Sequence, residues 1–196
     1  MSQLGADLWV LSYYNNQPGF FLDVGCADAE NISNTFLLEK NGWRGICIDA
    51  FPRNFTNRPK STVVQAVLSD VNGKEVEFVA PTNDPDLSGI KNTLNSHKER
   101  VLSQENKSHK FITQKLSDIL DTHNAPKFID YCSMDIEGGE YDVLKTFDFK
   151  KYAFGLLSIE HNYTEPTRTQ IKEILNKNGY SRYKSVEFDD WYIKID

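Results

Sequence analysis

The chain has 196 residues, 39% of them hydrophobic and 26% charged, with a formal net charge of −6. That length suits a single domain spanning 1–196, large enough to bury a core without disulfides or a structural metal. The acidic total argues against a nucleic-acid partner, because affinity for phosphate backbones rests on clustered Lys and Arg.

The predicted elements alternate along the chain. Gly19–Gly25 is a short apolar run ending in an acid and a glycine, which suits a buried parallel strand feeding a turn. A helix is expected over Ile32–Lys40, with Ile32, Phe36 and Leu37 on its apolar face and Gly42 as its stop. Gly45–Asp49 is a second strand ending in an acid, and Pro52 and Pro59 bracket the connection to a third strand at Thr62–Leu68. After a turn at Val71–Gly73, Glu75–Val79 alternates with period two and reads as a half-exposed strand.

Residues 81–110 are rich in Asn, Asp, Ser and Lys and hold few strong apolar anchors. They read either as a solvated, partly mobile excursion or as a substrate-side lid. Phe111–Gln114 follows as a strand, and Ser117–His123 as a short helix with Ser117 at its N-cap. Lys127–Asp135 is a strand ending in an acid, Gly138–Gly139 a hinge, and the next helix packs Val143, Leu144 and Phe147 inward. Phe154–Glu160 again ends in an acid. Thr167 and Gln170 have capping-box spacing at the head of a helix with Ile171, Ile174 and Leu175 inward and Gly179 at its close. Tyr180–Val186 and Trp191–Ile195 complete the chain as strands around Asp189–Asp190.

No apolar run approaches the roughly 18 residues of a membrane span, and Met1–Asn16 lacks the basic and apolar regions of a secretory signal. Cys26, Cys47 and Cys132 show no C-x-x-C spacing and lie in or beside strands. They read as buried thiols of a reducing compartment, so the expected location is cytoplasmic.

Alternating strands and helices imply a mostly parallel sheet with helices on both faces, and such sheets bind ligands beyond the carboxyl ends of their strands. Four predicted strands end in Asp23, Asp49, Asp135 and Glu160. Negative charge gathered at one sheet edge is costly unless something there uses it. A cationic sulfonium with ribose hydroxyls, as in S-adenosylmethionine, suits that edge. Asp49 follows Asp23 at close to the spacing at which an acid meets a ribose in dinucleotide folds. The loop after Asp23 lacks the full G-x-G-x-x-G that a pyrophosphate needs, which disfavours a nucleotide-dependent oxidoreductase. A ligand without phosphates requires only the close approach that Gly25 permits. A non-catalytic cofactor-binding module is the other alternative.

Several segments together carry a resemblance: Ser2–Val10, Gly19–Asp28, Ser33–Glu39, Gly42–Asp49, Asp130–Glu140, Ile159–Asn162 and Asp189–Tyr192. In these the chain resembles the FkbM family of methyltransferases. The Asp-x-Glu-Gly-x-Glu element at Asp135–Glu140 and the Glu-His-Asn element at Glu160–Asn162 are its more specific parts. The resemblance implies a doubly wound, Rossmann-like α/β fold with a seven-stranded sheet, mostly parallel with an antiparallel C-terminal strand. It also implies S-adenosyl-L-methionine as donor and a hydroxyl on a sugar or small metabolite as acceptor. Carried onto this chain, Asp23, Gly25, Cys26 and Asp28 form the cofactor loop, Asp49 and Ala50 meet the ribose, and Asp70 lies near adenine. Asp135 and Glu137 face the methionine end and the substrate. Ala29 replaces the family's usual glycine, and Asp49–Ala50 the commoner Glu-Pro pair.

A hydroxyl nucleophile benefits from a general base, and His161, beside the strand-terminal Glu160, is the first candidate, with Glu137 the competitor. Asp135, Glu137, Glu140, Glu160 and His161 could ligate a cation, but their spacing resembles no dedicated metal loop, so no metal is expected.

Overall fold

A computed structural model describes residues 2–94 and 97–195, so residues 95–96 of the 81–110 excursion lie outside the described part. The elements run, in order, α1 (Ala6–Tyr13), β1 (Phe20–Val24), α2 (Phe36–Lys40), β2 (Arg44–Asp49), β3 (Ser61–Gln65), β4 (Val67–Leu68), β5 (Glu75–Pro81) and β6 (Gly89–Ile90). They continue as α3 (Lys98–Leu102), β7 (Asn106–Gln114), α4 (Leu116–Thr122), β8 (Phe128–Met134), α5 (Glu140–Lys145), β9 (Ala153–Glu160), α6 (Thr167–Lys177), β10 (Tyr180–Val186) and β11 (Asp189–Lys194).

Seven strands form the main sheet in the order β10-β11-β9-β8-β1-β2-β3. The central pairs are parallel, and β11 alone runs antiparallel to both neighbours. Successive side chains of a strand face opposite ways, and this sheet uses both faces. Leu22, Val24, Ile46, Ile48, Met134 and Leu157 share a core with α4, α5 and α6. Phe21, Cys47, Tyr131 and Leu156 face the other way and pack with α1 and with Leu38 of α2. Each such buried side chain contributes roughly 1.5–3 kcal/mol relative to exposure. No helix among the described residues is long and apolar enough to cross a membrane.

A second sheet, β4-β7-β5-β6, joins strands expected from the sequence with strand residues from the stretch that reads as irregular. Residues 106–110 extend the strand expected at 111–114 into the nine-residue β7, which pairs antiparallel with the whole of β5. The expected third strand is divided in two: β3 stays in the main sheet, while β4 joins β7. Ala66 marks the break, its N–H turned to the Asp49 carbonyl at 2.9 Å.

Other local expectations change for identifiable reasons. The second helix begins at Phe36, because Ile32 adopts a left-handed φ of 59° and is exposed. Ser117 is not an N-cap; its hydroxyl accepts the Asp148 N–H at 3.0 Å, and α4 already includes Leu116. No capping box forms at α6, whose N-cap is Pro166. Asp189 and Asp190 are strand residues, the turn falling instead at Glu187, with φ 52°. Finally, α1 was absent from the predicted elements. Buried Asp7 anchors it by accepting from the Ser2 hydroxyl at 2.6 Å and the Ser2 N–H at 3.0 Å.

Candidate active site

A cavity of about 1090 Å³ opens at the carboxyl ends of the central parallel strands. Its lining includes Asp23, Gly25, Cys26, Asp49, Ala50, Asp135, Glu137 and Glu160. The parallel register aligns these acids: Val24 lies opposite both Ile48 and Met134, and Met134 opposite Ile159. The volume slightly exceeds the roughly 300–1,000 Å³ of ordinary small-molecule sites, leaving room for two reactants.

Gly25 has φ 82°, and a β-carbon there would lie 1.5 Å from the Asp135 carbonyl oxygen. The close approach it permits is thus between two strand ends of the protein itself. The Asp135 N–H donates to the Val24 carbonyl at 2.9 Å, and the Gly25 N–H to Ile48 at 2.8 Å. Asp49 accepts the Ala27 N–H at 2.9 Å on one carboxylate oxygen and the Phe51 N–H at 2.6 Å on the other. Those bonds fix its orientation and leave lone pairs directed elsewhere. Ala29 is fully buried and lies outside the positive-φ region, its N–H bonded to the Arg53 carbonyl at 3.0 Å, so a methyl group is accommodated.

Asp23 is buried, and Thr35 Oγ1 donates to it at 2.5 Å. Thr35 in turn accepts from Arg58 Nη2 at 2.9 Å, while Arg58 Nε reaches Glu39 at 2.8 Å and Nη1 the Ala29 carbonyl at 2.8 Å. Burial alone would raise the Glu39 carboxyl, but bonds from Ser61, Arg58 and Lys60 hold it below its usual range. Arg58 thereby ties the loop after β1 to the sheet, and nothing in its local sequence between two prolines announces this. Arg58→Lys retains the charge but loses the planar fork, and about 2 kcal/mol of unfolding free energy should be lost in a denaturant titration.

The acids beyond β8 and β9 lie in low dielectric. Burial pushes Asp135 up to about 7, assisted by the Asp189 charge, and pushes Glu140 and Asp189 up to about 7 as well. Glu160 is also raised well above its usual range, by burial and then by Asp135, Glu137 and Glu140. Carboxylate oxygens of Asp135, Glu140 and Glu160 lie within 4.8 Å of one another, close enough to share protons or to hold a cation. Glu137 is buried at φ 58°, a conformation that non-glycine residues keep at a cost of about 1–3 kcal/mol and that clusters at functional sites. Asp189 has no site role in the sequence reading, and its antiparallel pairing with Glu160 brings it here.

Three residues of the expected site are elsewhere. His161 is turned away from the cavity. Its Nδ1 accepts the Tyr163 N–H at 2.9 Å, and its buried Nε2 lies 3.6 Å from Asp190 Oδ1. Burial lowers its pKa, so it is neutral, and Arg168 and Arg182 already hold Asp190. A general base must reach the substrate, and this imidazole does not line the cavity. His161→Ala should leave turnover close to wild type while costing about 1–3 kcal/mol of stability, measurable by paired kinetics and thermal unfolding. Asp28 caps its own loop: it accepts from the Glu30 and Asn31 N–H groups and from Asn54, and it does not line the cavity. Asp70 is also outside, paired with Lys145 at 2.9 Å.

Residues 23–182 match the model of the methyltransferase FkbM domain. The chain belongs to that family. The FkbM match begins at Asp23, near the end of β1, and includes both β8 and β9 with the acids at their ends. Among solved structures, this FkbM methyltransferase resembles one described as a ribosomal RNA methyltransferase from Plasmodium falciparum, at 13% identity and a TM-score of 0.49, over 100% of this chain and 98% of that one. No curated protein matches it.

Proposed function

We propose that the cavity binds S-adenosylmethionine and that the protein methylates a hydroxyl of a sugar or other small metabolite. The observation that carries this reading is the ring of Asp23, Asp49, Asp135 and Glu160 around one cavity at the strand ends. Such an edge favours a cation, and Asp49, oriented by two backbone N–H groups, is set to accept from vicinal ribose hydroxyls. Gly25, Cys26 and Ala50 supply the wall beside them. Asp28 and Asp70 support the loop and α5 rather than the ligand. On this reading residues 1–196 form one doubly wound, Rossmann-like domain, and the second sheet covers the substrate side. The free, buried thiols suit a cytoplasmic location.

S-adenosylmethionine, when bound, supplies an electrophilic methyl group on a sulfonium. The cavity walls hold the acceptor in line with it at close range and limit water, which is where most of the rate gain arises. Asp135 takes the hydroxyl proton, because its raised pKa lies near neutrality and it lines the cavity. Glu160 stays protonated beside it, and Glu137 orients the acceptor from its strained backbone position.

The test is incubation with S-adenosylmethionine and a panel of hydroxylated acceptors, following S-adenosylhomocysteine release and an acceptor mass gain of one methyl group. Tight cofactor binding with no release for any acceptor would favour the non-catalytic module.

A further inference from the structure

The cavity has two chemically distinct sides. Acids line it at the strand ends of the main sheet, whereas its basic lining residues are His97, Arg100, Lys107, His109 and Arg53. All but Arg53 come from the 81–110 stretch, whose β7 strand walls the cavity. Lys107 lies opposite Ala80 and His109 opposite Phe78, and both of those β5 residues also line the cavity. Residues two apart on a strand share a face, so Lys107 and His109 present together.

The other charges on this side are accounted for. Asp86 pairs with Arg53 and Asp84 with Arg100. Lys107 has no ion-pair partner among the described residues. The His109 ring is held edge-on to Phe51, with ring centroids 4.8 Å apart, which limits its freedom before any ligand arrives.

We propose that this second-sheet side is an anion subsite, and that the acceptor carries a phosphate or carboxylate group apart from the hydroxyl that is methylated. The assignment rests on the reading of the strand-end acids as the methyl-donor site and names the acceptor's class. An oxyanion neutralises Lys107 and accepts from the imidazole N–H of His109, with His97 and Arg100 at its margin. Opposite charges on the two sides align the acceptor, its anion toward Lys107 and its hydroxyl toward Asp135. The anion takes no part in bond making or breaking, so its contacts are alike in ground and transition states and should appear in KM rather than kcat.

The test uses the full chain and inorganic phosphate as probe. The protein has four histidines, so imidazole C2–H resonances report on the site and on two controls. Phosphate should shift His109 and His97 saturably, leave His123 and His161 in place, and lose about tenfold in affinity in Lys107→Gln. In turnover, a sugar phosphate and a uronic acid should both outperform the parent sugar. The more strongly affected of the two in Lys107→Gln then identifies which oxyanion the site prefers. No shift at His109, equal shifts at all four histidines, or unchanged phosphate affinity in Lys107→Gln would overturn the subsite. A phosphate site that persists in a protein unable to bind S-adenosylmethionine would instead refute the donor-site reading and leave the subsite standing.

Discussion

Gly25→Ala is expected to prevent the chain from reaching its native fold, or to leave it more than about 4 kcal/mol less stable. Two costs combine. The φ of 82° is unfavourable for any residue with a β-carbon, by roughly 1–2 kcal/mol. The larger cost is steric, because the added methyl would lie 1.5 Å from the Asp135 carbonyl oxygen, which is backbone and cannot rotate away. Relief requires β1 and β8 to separate where Asp135 N–H bonds Val24, at the centre of the sheet. For a domain of this size, that loss lowers the melting temperature by at least roughly 8–16 °C. Gly73→Ala is the control: it has a similar φ of 78°, and a β-carbon there meets nothing within 4 Å. It should cost only the backbone term. Equal melting temperatures for the two variants would show that strand-end packing does not require Gly25.

Asp135→Asn should lower kcat by roughly 10²–10⁴, the range supplied by a positioned general base, while the fold is retained. The asparagine has nearly the same shape but cannot take a proton. The pH dependence separates this role from a structural one. In the wild type kcat should rise with pH through about 7 as Asp135 loses its proton, and the variant's residual rate should be flat there. Stability should run in the opposite sense. With the carboxyl raised from its ordinary 3.8 to about 7, the native state keeps a proton that the unfolded chain has released. Between those values the native state binds more protons, so stability falls as pH rises. Glu140 and Asp189 are raised in the same way and contribute with the same sign. A rate profile with no inflection near 7 in the wild type would remove Asp135 as the base.

Much of the main sheet was readable because its strands are short apolar runs bounded by glycine, proline or acids. Asp23, Asp49, Asp135 and Glu160 fall at one edge for that reason, and the sequence placed all four there. What it could not place depends on events one residue wide or on distant partners. Glu160 faces the cavity, and the next residue, His161, faces Asp190, because side chains alternate and the turn then carries the backbone away. Asp28 has the composition of a cofactor-loop acid, yet its local N–H partners claim it. Arg58 and Thr35 support Asp23 from 35 and 12 positions along the chain, with no shared motif. The second sheet depends on β5 finding β7 across the polar 81–110 stretch, and polar composition alone does not reveal such pairing. α1 was missed because its inward residues Ala6, Val10 and Leu11 make too short an apolar stripe to stand out from the sequence.

Calorimetric titration of S-adenosylmethionine into the wild-type protein and into Asp49→Ala tests the central claim most directly. The account expects saturable single-site binding to the wild type. It also expects at least a roughly tenfold loss in the variant, from removal of a charged acceptor of ribose hydroxyls. No binding by the wild type, or equal affinity in the two proteins, would contradict the placement of the methyl donor at this strand-end cavity.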